Sequence, residues 1–227
     1  MSDPLWASVD QYLSDLYLPK DEALEAALQS SQAANLPAIQ VSPHLGSFLY
    51  VLAQMNRARR ILEIGTLGGY STIWLGRAIL AQGGAADGKL ISLEYEKRHA
   101  DVARGNIARA GLASVVEVRV GAALDTLPML AIEKHFSPFD FIFIDADKEN
   151  YPAYFEWSLR LAHPGTAIVI DNVVRKGGIA DAHSHDSAIV ATQKLHKLIA
   201  ATPNIEKVTL QTVGQKGYDG FTLVLVK

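Results

Sequence analysis

From residue 60 onward, short apolar runs alternate with stretches of helical periodicity, and this alternation restricts the fold more than any other feature. Residues 60–64, 90–94, 115–120, 139–145 and 166–171 read as strands. Helices are expected over 70–80, 97–110, 122–135, 151–162 and 187–201, with Pro128 an irregularity in the third. Strands over 208–213 and 221–226 follow, and the link 214–220, with three glycines, suits a hairpin. Strands that are apolar throughout are covered on both faces, which means parallel neighbours with helices on either side. The expected fold class is α/β: a doubly wound, mostly parallel seven-stranded sheet with an antiparallel C-terminal hairpin. Such sheets bind ligands beyond the carboxyl ends of their strands, so the chemistry is expected after Ile64, Leu93, Ile144 and Ile170.

Residues 1–56 read as a helical N-terminal extension. Leu5, Val9, Tyr12, Leu13 and Leu16 recur at helical spacing until Pro19. Asp21 precedes a run over 22–32 rich in good helix formers, and Ser42-Pro43 is an N-cap and N1 pair for a third helix reaching about residue 56. No Pro/Gly/Ser linker divides the 227 residues, so one domain is expected over 1–227, with 57–227 as the cofactor-binding core.

Composition removes several function classes. The hydrophobic fraction of 49% and charged fraction of 20% are those of a globular chain. A net charge of −3 offers no basic excess to grip a nucleic acid backbone. Without cysteine there is no disulfide framework, thiolate nucleophile or thiolate metal site. No apolar run is long enough to span a bilayer, and residues 1–10 carry acids where a secretory signal has an apolar stretch. A cytoplasmic protein with no membrane partner is expected.

The first strand leads into Glu63-Ile64-Gly65-Thr66-Leu67-Gly68-Gly69-Tyr70-Ser71. Gly65 permits a tight turn, and the backbone N–H groups at the start of the following helix favour an anionic or polar ligand group. Leu67 occupies the middle glycine's place in the dinucleotide pattern. Glu94, at the end of the second strand, can accept hydrogen bonds from both hydroxyls of a ribose. Both features fit an adenosine-bearing ligand, and alone they do not separate a nicotinamide cofactor from S-adenosylmethionine. A plain packing turn and a solvated strand-end acid are the bland alternatives.

Two later strands end in acids, Ile144-Asp145-Ala146-Asp147-Lys148 and Ile170-Asp171-Asn172. If the strands are neighbours, Asp145, Asp171 and Asn172 meet at one rim. Two carboxylates and an amide carbonyl are hard oxygen ligands that suit Mg²⁺ first, with Mn²⁺ or Ca²⁺ as alternatives. Lys148 beside such a cation has its ammonium form disfavoured, which suits a general base. The structural alternative makes the two aspartates helix caps and Lys148 a surface ion-pair partner.

With these motifs in order, the chain resembles the class I S-adenosylmethionine-dependent O-methyltransferases, in particular the cation-dependent group related to caffeoyl-CoA and catechol O-methyltransferases. The resemblance rests on residues 63–71, Gly121-Ala122-Ala123-Leu124, 139–148 and 170–172, and covers nearly the whole chain. It implies a Rossmann-like methyltransferase fold and a homodimer. Carried over motif by motif, Glu63, Gly65, Thr66, Ser71 and Val41 would hold the methionine part of S-adenosylmethionine. Glu94 would take the ribose, Ala122 would lie against the adenine, and Asp145 and Asp147 would also contact cofactor. Asp145, Asp171 and Asn172 would bind the divalent cation, and Lys148 with Asp145 would form the catalytic pair. The substrate implied is a small catechol-like phenol. Where plant relatives place Trp and Asn after the last acid, this chain has Val173 to Gly178, which counts against a phenylpropanoid-CoA substrate.

Three other functions were weighed. A transfer-RNA hydroxyuridine methyltransferase is opposed by the charge balance. An S-adenosylmethionine-binding sensor without turnover is opposed by the presence of Asp145, Lys148, Asp171 and Asn172 together. A dehydrogenase is opposed by Leu67. His183, His185 and Asp186 have metal-ligand chemistry, but they share their segment with Gly177 and Gly178 and read as part of a solvated, flexible lid over 173–186. Trp6, Trp74 and Trp157 read as packing residues.

Overall fold

A computed structural model describes residues 3–83, 88–134 and 136–227. Three helices come first: α1 (Pro4–Tyr17), α2 (Glu22–Ala33) and α3 (Pro43–Met55). Asp3, Asp21 and Ser42 each accept a backbone N–H of the first turn, as N-caps do; the starts at Asp21 and Ser42 were legible in the sequence. Then β1 (Arg60–Ile64), α4 (Tyr70–Ala81), β2 (Lys89–Glu94), α5 (Lys97–Arg109) and β3 (Val116–Val120) alternate. They are followed by α6 (Ala123–Ala131), β4 (Phe139–Ile144), α7 (Tyr151–Arg160), β5 (Ala162–Ile170), α8 (Ser187–Ala201), β6 (Ile205–Gly214) and β7 (Gly217–Val226).

The seven strands form one sheet in the order β3-β2-β1-β4-β5-β7-β6. The first five are parallel, and β7 pairs antiparallel with both β5 and β6. Successive residues of a central strand face opposite cores, as the period of two requires. Phe141 and Phe143 of β4 pack with α3, α4 and α5 on one face, while Ile142 and Ile144 pack with α6, α7 and α8 on the other. Strand order reverses between β1 and β4, which opens a crevice at their carboxyl ends.

Several boundaries differ from expectation. The glycine link over 214–220 is mostly strand, and only Gln215 and Lys216 form the turn. Gly220 is needed within β7 because a Cβ there would strike the Leu210 carbonyl of β6. The helix expected to reach residue 162 ends at Arg160, and β5 starts at Ala162, where Thr166 Oγ1 accepts the His163 N–H at 2.9 Å. The helix expected over 122–135 ends at Ala131 with Pro128 inside it; residue 135 lies outside the described residues. The proposed lid is anchored at its start: Val173 and Val174 are core residues, and Arg175–Ala180 makes tight turns broken by left-handed backbone at Lys176 and Gly177. Among the described residues, no helix is long and apolar enough to cross a membrane.

Candidate functional site

The backbone ladder runs one step past the strands and aligns the site. Gly65 N–H donates to Leu93 O, Asp145 N–H to Ile64 O and Asp171 N–H to Ile144 O, at 2.9–3.0 Å. Gly65 has φ 103, and any Cβ there would collide with the Asp145 carbonyl, so glycine is required. The crevice above is a cavity of 880 Å³. Val41, Gly65, Thr66 and Ser71 line one part of it. Glu94 and Ala122 line another, and Asp145, Asp147, Lys148 and Asn172 a third.

Glu94 organises the glycine turn. Its Oε2 accepts the N–H groups of Leu67 (2.8 Å) and Thr66 (3.2 Å), and its Oε1 accepts that of Glu96 (2.9 Å). Oε1 also stands 3.4 Å from His99 Nδ1, and both residues line the cavity. Helix α4 starts on Gly69 (φ 81) without a side-chain cap, and its first residues Tyr70 and Ser71 line the cavity. Uncapped first-turn N–H groups suit a ligand carboxylate. The cradle therefore fits a nucleoside joined to an amino acid.

Glu63 is a correction: it stands behind the cavity wall, fully buried. Strand alternation turns its side chain under α4, where Ser71, Thr72 and Ser92 donate hydroxyls to it at 2.5–2.6 Å. Burial pushes its carboxyl up to about 7 despite those three donors. Glu63 holds Ser71 and the turn in place. Asp147 does line the cavity, but Tyr154 Oη and Asn150 Nδ2 donate to its two oxygens at 2.6 and 2.5 Å.

At the acidic rim, β4 and β5 are neighbours in register, Ile144 opposite Ile170, so Asp145 and Asp171 follow side by side. Lys148 Nζ donates to Asp145 Oδ1 at 2.8 Å and stands 4.8 Å from the Tyr151 ring centroid. Asp171 is buried; burial first, and then the Asp145 charge, push its carboxyl up to about 8. Tyr151 Oη donates to the Asp171 carbonyl at 3.0 Å, and burial raises its own hydroxyl well above the ordinary tyrosine value. Two adjacent carboxylates, one of them unable to ionise easily, fit a divalent cation, which would let both carry charge. With the Asn172 amide the donors are hard oxygens.

Asp171 and Asn172 also line a second cavity of 560 Å³, reached past Val41 and Arg175, which border both. Its floor carries Phe48 and Phe221, with ring centroids 5.0 Å apart. Sequence reasoning missed Arg175. Asn172, Arg175 and Lys176 have φ of 55, 53 and 55, a left-handed conformation that costs side-chain-bearing residues about 1–3 kcal/mol each. Asp219 of β7 holds it, its Oδ1 accepting the N–H groups of Val174 and Arg175 at 2.9 Å and of Gly220 at 3.0 Å.

The family model for O-methyltransferases matches residues 16–227. The chain belongs to the S-adenosylmethionine-dependent O-methyltransferase family. A catechol O-methyltransferase of Niastella koreensis is 48% identical over 227 residues, covering 100% of both chains. One of Mycobacterium tuberculosis is 51% identical over 219 residues, 96% of this chain and 95% of the relative. An O-methyltransferase from Bacillus cereus, solved in complex with SAH, is 55% identical and superposes with a TM-score of 0.94 over 98% of this chain and 99% of its own. This O-methyltransferase thus shares the fold of its relatives over nearly its whole length.

Proposed function

We propose that this enzyme transfers the methyl group of S-adenosylmethionine to one hydroxyl of a small vicinal dihydroxy aromatic, with a divalent cation, Mg²⁺ first, held at the acidic rim. The observation that carries the reading is the meeting of Asp145, Asp171, Asn172 and Lys148 at two adjacent strand ends. The names of the similar curated proteins point to the same substrate class.

Asp145, Asp171 and Asn172 would hold the cation. Gly65, Thr66, Ser71 and Val41 would hold the methionine end of the cofactor, Glu94 its ribose, Ala122 its adenine, and Asp147 would border it. When bound, the sulfonium supplies an electrophilic methyl, and the cation supplies acidification of the substrate oxygens and competition for the Asp145 carboxylate. Three side chains offer fewer donors than the six or so a hard cation takes, which leaves room for a pair of adjacent oxygens. A free phenol has a pKa of about 10, like tyrosine, and must lose its proton to become nucleophilic. Lys148 Nζ, as the neutral amine once its ion pair with Asp145 is given up, would receive that proton and become the ammonium, held near the site by the Tyr151 ring. We take the enzyme to be a homodimer acting on small molecules.

The test pairs a catechol with its monophenol on chelated and metal-restored enzyme. Much faster methylation of the catechol, dependent on restored Mg²⁺ or Mn²⁺, is expected. Full activity after exhaustive chelation, or equal rates for the two rings on the metal-restored enzyme, would sink the reading and move weight to transfer RNA as substrate.

A further inference from the structure

Arg175 borders both cavities, three residues beyond Asn172. Its Nε is buried, and it has no hydrogen-bond partner among the described residues. No carboxylate of the described residues makes an ion pair with its guanidinium, although the backbone holds the residue in a left-handed conformation. A buried cationic donor without a partner is costly unless a ligand supplies one.

Three acids, Asp10, Asp171 and Asp219, line the second cavity with Arg175, and none is paired with its guanidinium. Asp219 collects three backbone N–H groups on one oxygen. Asp10 accepts the Gln215 N–H at 2.8 Å. Glu149 lines the first cavity and feels the Arg175 charge, but it accepts the Ser187 hydroxyl at 2.8 Å. Lys176 and Lys216 add positive charge to the rim of the second cavity. Its floor is aromatic. That combination of an apolar bed, a hydroxyl-reading rim at Asn172 and a free guanidinium describes an aromatic ring with an anionic substituent.

We propose that Arg175 binds a carboxylate carried by the aromatic substrate, so that the preferred substrates are catechol acids. The proposal rests on the catechol reading and names the substituent. Arg175 acts on the substrate rather than on the cofactor because it continues from Asn172 into a cavity that none of Gly65, Thr66, Ser71 and Glu94 lines. A guanidinium fork matches a carboxylate with two parallel N–H···O bonds.

The experiment compares kcat/KM for 3,4-dihydroxybenzoate and its primary amide on wild type, Arg175→Met and Arg175→Lys. The acid should be preferred by wild type about tenfold or more, mainly through KM. Arg175→Met should bring the ratio near one, and Arg175→Lys should retain part of it. In wild type, benzoate should compete with the acid while benzamide does not; this arm needs neither a ring hydroxyl nor a folded variant. A wild-type ratio of one, or a benzoate that fails to compete, overturns the proposal. So does an Arg175→Met enzyme that keeps the ratio and raises KM for S-adenosylmethionine, since Arg175 would then serve the cofactor. Failure of the catechol reading alone shows differently: the monophenol matches the catechol, while the benzoate competition persists.

Discussion

The two ends of the crevice treat charge in opposite ways. At the glycine turn the carboxylates are saturated: Glu94 accepts three backbone N–H groups and Glu63 three hydroxyls. At the acidic rim Asp171 is buried beside Asp145, and Arg175 has an idle donor. A satisfied network fixes the shape of a site before any ligand arrives, whereas an unsatisfied one is completed by what binds. The first end therefore suits the proposed cofactor cradle, and the second the proposed reaction and substrate choice.

Substitutions can break that contrast. The largest effect is expected at Lys148: Lys148→Ala should lower kcat by roughly 10²–10⁴-fold, the range for a positioned general base, with little change in cofactor affinity by calorimetry. Asp171→Ala should cost about 10²–10³-fold in turnover, as loss of an electrostatic stabiliser does. Its melting temperature should hold or rise, because a buried carboxylate facing Asp145 has been removed. A large fall in melting temperature would mean that Asp171 is a structural cap. Glu94→Ala should instead weaken both cofactor binding, by about 1.5–3 kcal/mol, and stability, because its oxygens hold the turn as well as facing the ligand. Calorimetry and thermal melts separate the two; unchanged affinity would remove Glu94 from the binding site.

The smallest effect is a pH dependence. Glu63 is raised in the folded chain from 4.5 to about 7, so the folded state keeps its proton to higher pH than the unfolded one. The stability this gives is fully present below about pH 4.5 and is lost as pH rises through about 7. Asp171 has the same sign. Glu63→Gln should flatten the decline in melting temperature between pH 5 and 7, and a slope identical to wild type would contradict the burial argument.

What the sequence made legible follows from period and punctuation. Apolar strands ending in Asp145 and Asp171 announced a rim because a parallel sheet aligns its carboxyl ends. The residues Asp21 and Ser42 announced helix starts. Glu63 was misjudged because a motif gives an order of residues and not which side of the strand a side chain leaves. The hairpin was legible, but its link was drawn too long, because glycine marks a close approach as readily as a turn: Gly220 faces the Leu210 carbonyl inside a ladder. Arg175 was invisible because its character comes from a partner that is missing and from a φ of 53, neither of which a residue type encodes.

Strand β7 lies between β5 and β6 although it follows both in the chain and leaves the ribosome after them. While the chain is being made, β6 emerges with no place to pair, and the edge of β5 stays bare until residues 217–226 follow. Asp219 arrives in that same final stretch and fastens the backbone at Val174 and Arg175. Synthesis order thus acts as a timer. A nascent chain halted at β6 has both strand-end acids in its sequence, but its substrate-side loop is unfastened and it presents an open strand edge to its neighbours.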